Sequence, residues 1–219
     1  MEDTKAVFTA LMLGVLLGCV AIPHTPEQGA TAPRPLAPEG FPAHIAVLPL
    51  TNATSDSDGP VIVRAFVIRK LSRDLGVIVP STDEVDQTLA GRNLIWSGHP
   101  QGRELLSKQD PAVLASWLGV EGVLFGGLSA YSSQKLSFYS ESKVKVHFWL
   151  VDGSGKKVWE SKDGSSEGGG LTMGSTSMQN VLGDGSLPAD VQDRVRRSQA
   201  ASPAFEAVET ALSDFPMRR

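Results

Sequence analysis

The hydrophobic residues of this chain fall into short runs whose spacing alternates between that of strands and that of helices. Apolar runs rich in β-branched residues predict buried strands over 44–50, 76–80 and 120–130. Helix-start residues (Ser, Asp or Pro) and apolar stripes predict helices over 60–75, 82–90 and 111–118. The first of these helices is itself rich in β-branched residues, so a strand is the alternative there.

The second half of the chain has a different pattern. Residues 143–151 alternate between apolar and polar, residues 152–155 form a polar turn, and residues 156–161 return, which predicts an antiparallel hairpin. The Gly- and Ser-rich segment 161–187 has no clear period and is expected to be a mobile loop. A helix is predicted over 202–215 and a fainter one around 187–195. Together these elements predict an α/β fold with helices packed on a mixed β-sheet, parallel strands early and an antiparallel hairpin late.

The N-terminus carries the sharpest signal. Residues 6–18 form an apolar run of 13, which suits a signal peptide and is too short to cross a bilayer. The run ends in Leu16-Leu17-Gly18-Cys19, which resembles the lipobox of bacterial lipoproteins. This resemblance implies a signal peptide over 1–18 and a covalent lipid such as palmitate on Cys19. Val20 is not the Asp that retains lipoproteins at the inner membrane, so the resemblance implies an outer-membrane anchor, with the protein facing the periplasm.

An alternative for the N-terminus stays open. Glu2 and Asp3 outnumber Lys5, whereas the region before a signal run is normally basic. An ordinary signal peptide or a fraying helix, with Cys19 as a buried thiol, fits this composition as well. Because Cys19 is the only cysteine, a structural disulfide within the chain and a cysteine-based zinc site are both excluded.

A linker is predicted to separate the anchor from the folded domain. Six of the 14 prolines lie in the linker, 19–42, and most of the other positions are Ala, Thr or Gly. Such a segment buries no core and stays extended. The α/β domain is expected over 43–165, and the Gly/Ser-rich segment and the C-terminal helix, 166–219, are expected to complete it.

Composition disfavours nucleic acid as a partner. The formal charge is -4 and only 6% of residues are aromatic, so neither bulk charge nor base stacking favours nucleic acid. The predicted partners are the membrane through the lipid, proteins of the envelope, and a second copy of the chain at an open sheet edge.

Motifs that carry catalysis are absent from the sequence. The chain has no nucleophile elbow, phosphate-binding loop or zinc-protease motif. Asp56 and Asp58 resemble half of a calcium loop, but the other ligands are missing. The four histidines, at positions 24, 44, 99 and 147, are not spaced as metal pairs. We therefore expect no catalytic residues, no metal, no cofactor besides the lipid on Cys19, and no enzymatic activity.

Two groups of residues are candidates for docking a partner. The first helix carries the cations Arg64, Arg69, Lys70 and Arg73, which form either a solvated helix face or a surface for an acidic partner. Trp149 lies on the polar side of its strand by alternation, and Trp159 can reach it across the hairpin. An exposed tryptophan pair anchors interfaces, whereas a helix covering the pair would make it part of the core.

The segments HIAVLPLTNAT, LGVIVP, LASWLGVEGVLFGGLSAY and VHFWLVDGSGKKVWES resemble a family of uncharacterised bacterial outer-membrane lipoproteins. The domain of that family is similar to the N-terminal domain of TolB, and the resemblance covers about 43–165. It brings no catalytic residues, and it implies an adaptor or accessory subunit of an envelope transport or assembly complex. A periplasmic module that binds a small ligand and an envelope hydrolase using Asp56, Asp58 and His99 are the alternatives.

Overall fold

The computed structural model describes residues 36–94, 106, 108–136, 139–162, 164–170, 181–183 and 185–217. The strands are β1 (Ile45–Val47), β2 (Thr51–Asn52), β3 (Gly122–Leu136), β4 (Tyr139–Asp152), β5 (Lys157–Glu160) and β6 (Gly164–Gly170). The helices are α1 (Gly59–Arg69), α2 (Thr82–Ala90), α3 (Pro111–Leu118), α4 (Ala189–Arg197) and α5 (Ala201–Ala211). The predicted signal peptide, Cys19 and most of the predicted linker lie outside the described residues.

The first helix forms where it was predicted, and the alternative of a strand is wrong. α1 begins with Pro60 in its first turn and continues into a π-helical turn over Lys70–Asp74. The apolar side chains on one face are almost fully buried, among them Ile62, Val63 and Phe66 at 0–1% exposure, whereas Val61 on the other side is 37% exposed. Burial of one face therefore outweighs the β-branched composition of the segment, because tertiary packing overrides intrinsic propensity.

The six strands form one mixed sheet. β1 and β2 both pair with β3 in parallel, whereas β4 pairs with β3, β5 and β6 in the antiparallel sense. The chain between β1 and β3 carries α1, α2 and α3, as a parallel crossover requires. The predicted α/β class, with parallel strands early and antiparallel strands late, is confirmed.

Two of the predicted elements need correction. The strand expected over 76–80 is reduced to one parallel bridge, in which Ile78 pairs with His44 beside β1. Within the loop expected over 161–187, Gly164–Gly170 forms β6 on the edge of β4. β6 escaped prediction because the sequence GSSEGGG has no alternation of apolar and polar residues, and its pairing is supplied by the first half of β4.

Helices cover the two faces of the sheet unequally, and they define two layers. The larger layer consists of α1, α4 and α5, whose apolar side chains pack on Val144, Val146, Phe148 and Leu150 of β4. The smaller layer consists of α2 and α3, which pack on the other face around Val123, Phe125 and Val151. The apolar face predicted for β4 is therefore confirmed.

A glycine in β3 makes the larger layer's packing possible. A Cβ atom on Gly126 would lie 2.5 Å from Cδ1 of Phe148 and 2.7 Å from Cδ2 of Leu50. Both distances are too short for a real contact, so only glycine fits under these two side chains.

Candidate functional site

Of the cations predicted to dock a partner, Arg64 is buried. It is 6% exposed, and its Nε and Nη2 atoms donate to the carbonyl oxygen of Val47 at 3.1 and 2.8 Å. Its Nη1 atom donates to both carboxylate oxygens of Asp86 in α2, at 2.8 and 2.9 Å. Burial lowers the pKa of the Arg64 guanidinium, and the charge of Asp86 opposes that shift. The expectation that Arg64 lies on a solvated face is wrong, because this side chain joins α1 to β1 and α2.

The other three cations differ in burial and in their partners. Arg69 donates to the carbonyl of Val181 at 2.7 Å and stacks over Phe66 and Phe205. Lys70 is also buried and pairs with Asp74 and Glu209. Of the four cations, Arg73 is the one that is exposed, and it lies on the π-helical turn. Docking of a partner through these side chains stays a prediction.

The two tryptophans lie on opposite faces of the sheet, so the predicted contact across the hairpin is wrong. Trp149 stacks on Phe125 in the smaller layer with ring centroids 5.4 Å apart, and Trp159 packs edge-on against Phe215 in the larger layer at 4.8 Å. Both are half-buried. The cause is a β-bulge in β5, at which the pairing Val151–Lys157 shifts by one residue to Leu150–Trp159. Without that shift Trp159 would face Trp149.

The aspartates of the β2–α1 loop are engaged within the fold. Oδ1 of Asp56 accepts the N–H groups of Asp58 and Gly59 at 2.9 and 2.6 Å, at the N-terminus of α1. Asp58 pairs with Arg194 of α4. The chain's own carboxylate thus occupies the position that an anion would take at this helix end. Among the described residues, no cluster of three His, Cys, Asp or Glu side chains is suited to a metal ion.

A groove of about 390 Å³ lies where the edge of the sheet meets α2. We call it the edge groove. The edge contributes Ile78, Val79 and Pro80, while α2 contributes Glu84, Val85, Gln87 and Thr88. His44 and Leu118 complete its walls. The groove mixes apolar and polar side chains, so its chemistry depends on how each group is presented.

The backbone at the edge groove presents open hydrogen-bonding groups. Ile78 faces β1, since its N–H donates to Ala43 and its carbonyl accepts from Ile45, both at 2.9 Å. The backbone groups of Val77 and Val79 consequently point away from β1, and the N–H of Val77 is already paired, since it donates to the carbonyl of Leu71 at 3.0 Å. Within the described part of the chain, the N–H of Val79 and the carbonyls of Val77 and Val79 have no protein partner. This is an unpaired strand edge.

The side chains at the same edge alternate between the two layers. Val77 and Val79 pack against the core of the larger layer. Ile78 points the opposite way, into the edge groove, where it is 64% exposed. Val85 of α2, which is only 1% exposed, lies in the wall of the same groove. An exposed aliphatic side chain beside an open backbone edge is the pattern that natural sheets usually avoid.

A carboxylate gives the edge groove its charge. Ser81 and Glu84 form a capping box, in which the N–H and the hydroxyl of Ser81 donate to Oε2 of Glu84, each at 3.0 Å. The bond from the Ser81 N–H, then the bond from its hydroxyl, and last the charge of His44 lower the pKa of Glu84. Glu84 is therefore ionised at neutral pH and exposed on the wall of the groove.

The groove escaped prediction from the sequence because GVIVP reads as an inner strand. One signal was present: Pro80 ends the run after few residues, and proline in a sheet favours an edge.

The histidines considered in the sequence lie in different places. His44, predicted at the start of a strand, lies in the edge groove, while His147 contacts Glu160 of β5 at 3.1 Å. His24, His99 and Cys19 lie outside the described residues.

Comparison with known proteins gives structural likeness only. No family model matches the chain, and no curated protein sequence matches it. Lipoprotein GNA1162 from Neisseria meningitidis is 25% identical, with 62% of this chain and 88% of that chain covered and a TM-score of 0.49. The PelC dodecamer from Paraburkholderia phytofirmans is 16% identical, with 85% and 95% covered and a TM-score of 0.46.

A third similar structure is the C-terminal domain of LpoB from Escherichia coli. It is 14% identical, with 59% of this chain and 87% of that chain covered and a TM-score of 0.40. All three TM-scores lie below 0.5, so the likeness by itself settles neither family nor function. Among the described residues, no helix is long and apolar enough to span a bilayer.

Proposed function

We propose that this chain is an outer-membrane lipoprotein that faces the periplasm and serves as an adaptor or accessory subunit of an envelope transport or assembly complex. In this proposal it has no enzymatic activity and no cofactor besides the lipid. The observation that carries it is Cys19, the only cysteine, which directly follows an apolar run of 13 residues ending in Leu-Leu-Gly. The resemblance of 43–165 to the TolB N-terminal domain is part of the same proposal.

The mechanism is a tether combined with docking. Each buried methylene of an acyl chain contributes about 0.8 kcal/mol, so two or more chains on Cys19 make membrane binding effectively permanent. The proline-rich segment between the anchor and the domain, 20–42, reaches roughly 70 Å when extended and about 25–30 Å as a flexible coil. The domain is thereby held at high effective concentration near its partners, and a modest affinity is enough for association.

The state of the polar side chains supports binding over catalysis. Arg64 and Asp86 satisfy one another, Asp56 caps α1, and Asp58 pairs with Arg194. A hydrolase site needs polar groups that converge on a substrate and are free to react. Asp56 and Asp58 instead have structural partners, which disfavours the hydrolase alternative for these two residues.

The small-ligand alternative is supported less well by the edge groove. Its volume of about 390 Å³ lies within the usual range for ligand sites. Such sites bury most of the ligand among apolar walls, however, whereas this groove exposes Ile78 and carries the ionised Glu84. A groove of that kind suits a polypeptide better.

Metabolic labelling with palmitate tests the anchor directly. We expect the full chain to incorporate the label and to sediment with the outer membrane. The Cys19→Ala chain should incorporate none and should lose outer-membrane sedimentation. Unlabelled, freely soluble wild-type protein would refute the proposal. In-cell crosslinking followed by recovery in detergent tests docking, and recovery of the monomer alone would count against an adaptor role.

A further inference from the structure

We propose that the edge groove binds an extended segment of a partner protein, which adds to the sheet as a strand at Val79, with an apolar side chain beside Ile78 and a cationic side chain near Glu84. The inference rests on the proposed function only for the place where the partner is met, which is the membrane surface. The binding itself rests only on the geometry of the groove.

The unpaired backbone groups at this edge indicate what kind of molecule can bind there. Val79 offers one N–H and one carbonyl on the same side, and Val77 offers a further carbonyl two residues away. A strand laid beside them supplies a donor and an acceptor at matching spacing in either direction. An acyl chain has neither group, and a helix has already paired its own. An extended polypeptide is therefore the occupant that satisfies the edge.

Side chains alternate between the two faces of a strand, and this alternation determines where the side chains of the partner segment lie. A partner residue paired with Val79 shares the face of Val79, which is filled by the larger layer. The residues on either side of it point to the face of Ile78 and enter the edge groove. One of them covers the 64% exposed side chain of Ile78. Burial of that aliphatic surface favours an apolar residue at this position.

Charge selects the second side chain. Glu84 lies on the α2 wall of the groove, and it remains ionised because Ser81 holds it in the capping box. A Lys or Arg two positions from the apolar residue lies on the same face and pairs with it. A second copy of this chain would instead bring an identical carboxylate to the contact if the two edges paired symmetrically. The partner is thus a different protein.

Pro80 limits the edge to a short stretch, since it offers no N–H to a further pairing. Few hydrogen bonds form, and the affinity of the isolated peptide is correspondingly modest. A membrane tether offsets this by raising the effective concentration of both proteins at the same surface.

Peptide titration tests the proposal with the full-length chain in detergent. The probe is the capped peptide TVTKTVT, whose valines and lysine share one face. Matched probes replace Lys by Glu, or carry N-methyl groups on the two threonines beside the lysine. We expect the parent probe to bind about fivefold more tightly than either matched probe, since one loses the charge pair and the other the backbone bonds. Equal affinity for all three would overturn the proposal.

Variants locate the binding. Ile78→Thr should weaken the parent probe about fivefold, and Glu84→Gln should remove the preference for Lys over Glu. Gln at this position preserves the capping box, so α2 stays intact. Leu36→Thr is the matched control, because Leu36 is another exposed aliphatic in an isolated parallel bridge, at 55% exposure. Unchanged binding to the Ile78→Thr chain would overturn the proposal.

Sedimentation of the wild-type and Ile78→Thr chains tests the alternative that a second copy of this chain pairs with the edge. A wild-type dimer that Ile78→Thr abolishes, without peptide binding, would assign the edge to a twin chain and overturn the inference. Peptide binding does not require the lipid. A chain that binds the probe and lacks palmitate would therefore refute the proposed function and leave this inference standing.

Discussion

The two helical layers are held to the sheet by different means. α1, α4 and α5 of the larger layer begin at Asp58, Pro188 and Ala200, none of which makes a side-chain cap bond. α2 and α3 of the smaller layer begin at Ser81 and Asp110, and both side chains accept a backbone N–H of the first turn. In the larger layer the residues at the cap positions make no such bond, although Asp56 accepts two N–H groups just before and at the start of α1. In the smaller layer both helices have a bond from the cap residue itself.

Burial accounts for the difference between α1 or α5 and the smaller layer, but not for α4, which buries only Val191 and Val195. α2 buries only Val85 and Leu89, and α3 only Leu114 and Ala115. Such short helices are marginal without packing, and a cap contributes about 1 kcal/mol to each. The larger layer also buries aromatic side chains such as Phe66 and Phe215, so its stability comes from area removed from water. The edge groove lies beside the layer with the thinner cover.

The largest expected effect is a cavity in the larger layer. Phe148→Ala removes a fully buried ring and should lower the free energy of unfolding by about 4 kcal/mol. Phe125→Ala, in the smaller layer, should cost less, about 2–3 kcal/mol. The stacked Trp149 is half-buried and can move over the gap. Urea unfolding measures both, and an equal or larger cost for Phe125→Ala would contradict the comparison.

The next effect concerns the ion pair between Arg64 of α1 and Asp86 of α2, which joins the two layers. Asp86→Ala leaves the buried Arg64 charge without its counter-ion, with only the Val47 carbonyl as a partner, and should cost about 3 kcal/mol. Arg64→Met leaves Asp86, whose side chain is 38% exposed and stays hydrated, so the cost should be nearer 2 kcal/mol, mainly from the orphaned Val47 carbonyl.

The double variant of this pair sharpens the test. Once Arg64 is gone, Asp86→Ala has little left to remove, so the double variant should be about as stable as Arg64→Met. Strict additivity of the two costs would show that the guanidinium does not depend on Asp86.

A pH titration probes Tyr131 of β3, whose ring lies against Gly59 at the start of α1 in the larger layer. Burial raises the pKa of Tyr131 from 10.0 to about 12, partly opposed by the hydrogen bond with Ser198. Between pH 10 and 12 the unfolded chain has lost this proton and the folded chain retains it. The free energy of unfolding therefore falls across that window, by about 2–3 kcal/mol. Tyr131→Phe should lack this component, and an identical pH slope in both chains would contradict it.

The sequence predicted those parts of the fold that local patterning controls. The alternation over 143–151 predicted the buried face of β4, and the helix-start residue Ser81 predicted the start of α2, since each signal lies within one element. The relation between Trp149 and Trp159 failed because it depends on a bulge of one residue, and no residue type marks that bulge. Register is a property of pairing, which the sequence of one strand does not carry.

The candidate site was predictable only in part for the same reason. The positive charge of Arg64 is visible in the sequence, but its burial depends on Val47 and Asp86, which come from two other elements. The edge groove depends on Ile78 pairing with His44, a contact made after a helix has intervened. The spacing of residues along one element does not predict the environment of a side chain whose partners come from other elements.

The smallest expected effect tests whether the smaller layer depends on its caps. Ser81→Ala removes the hydroxyl that accepts the N–H of Glu84 at 3.2 Å, and should lower the free energy of unfolding by about 1 kcal/mol. Thr82→Ala, one residue along, is the matched control and should change it by less than half as much. Thermal unfolding monitored by circular dichroism measures both. If the two variants are equally stable, the capping box contributes nothing beyond the packing of Val85 and Leu89, and the contrast between the layers is one of area alone.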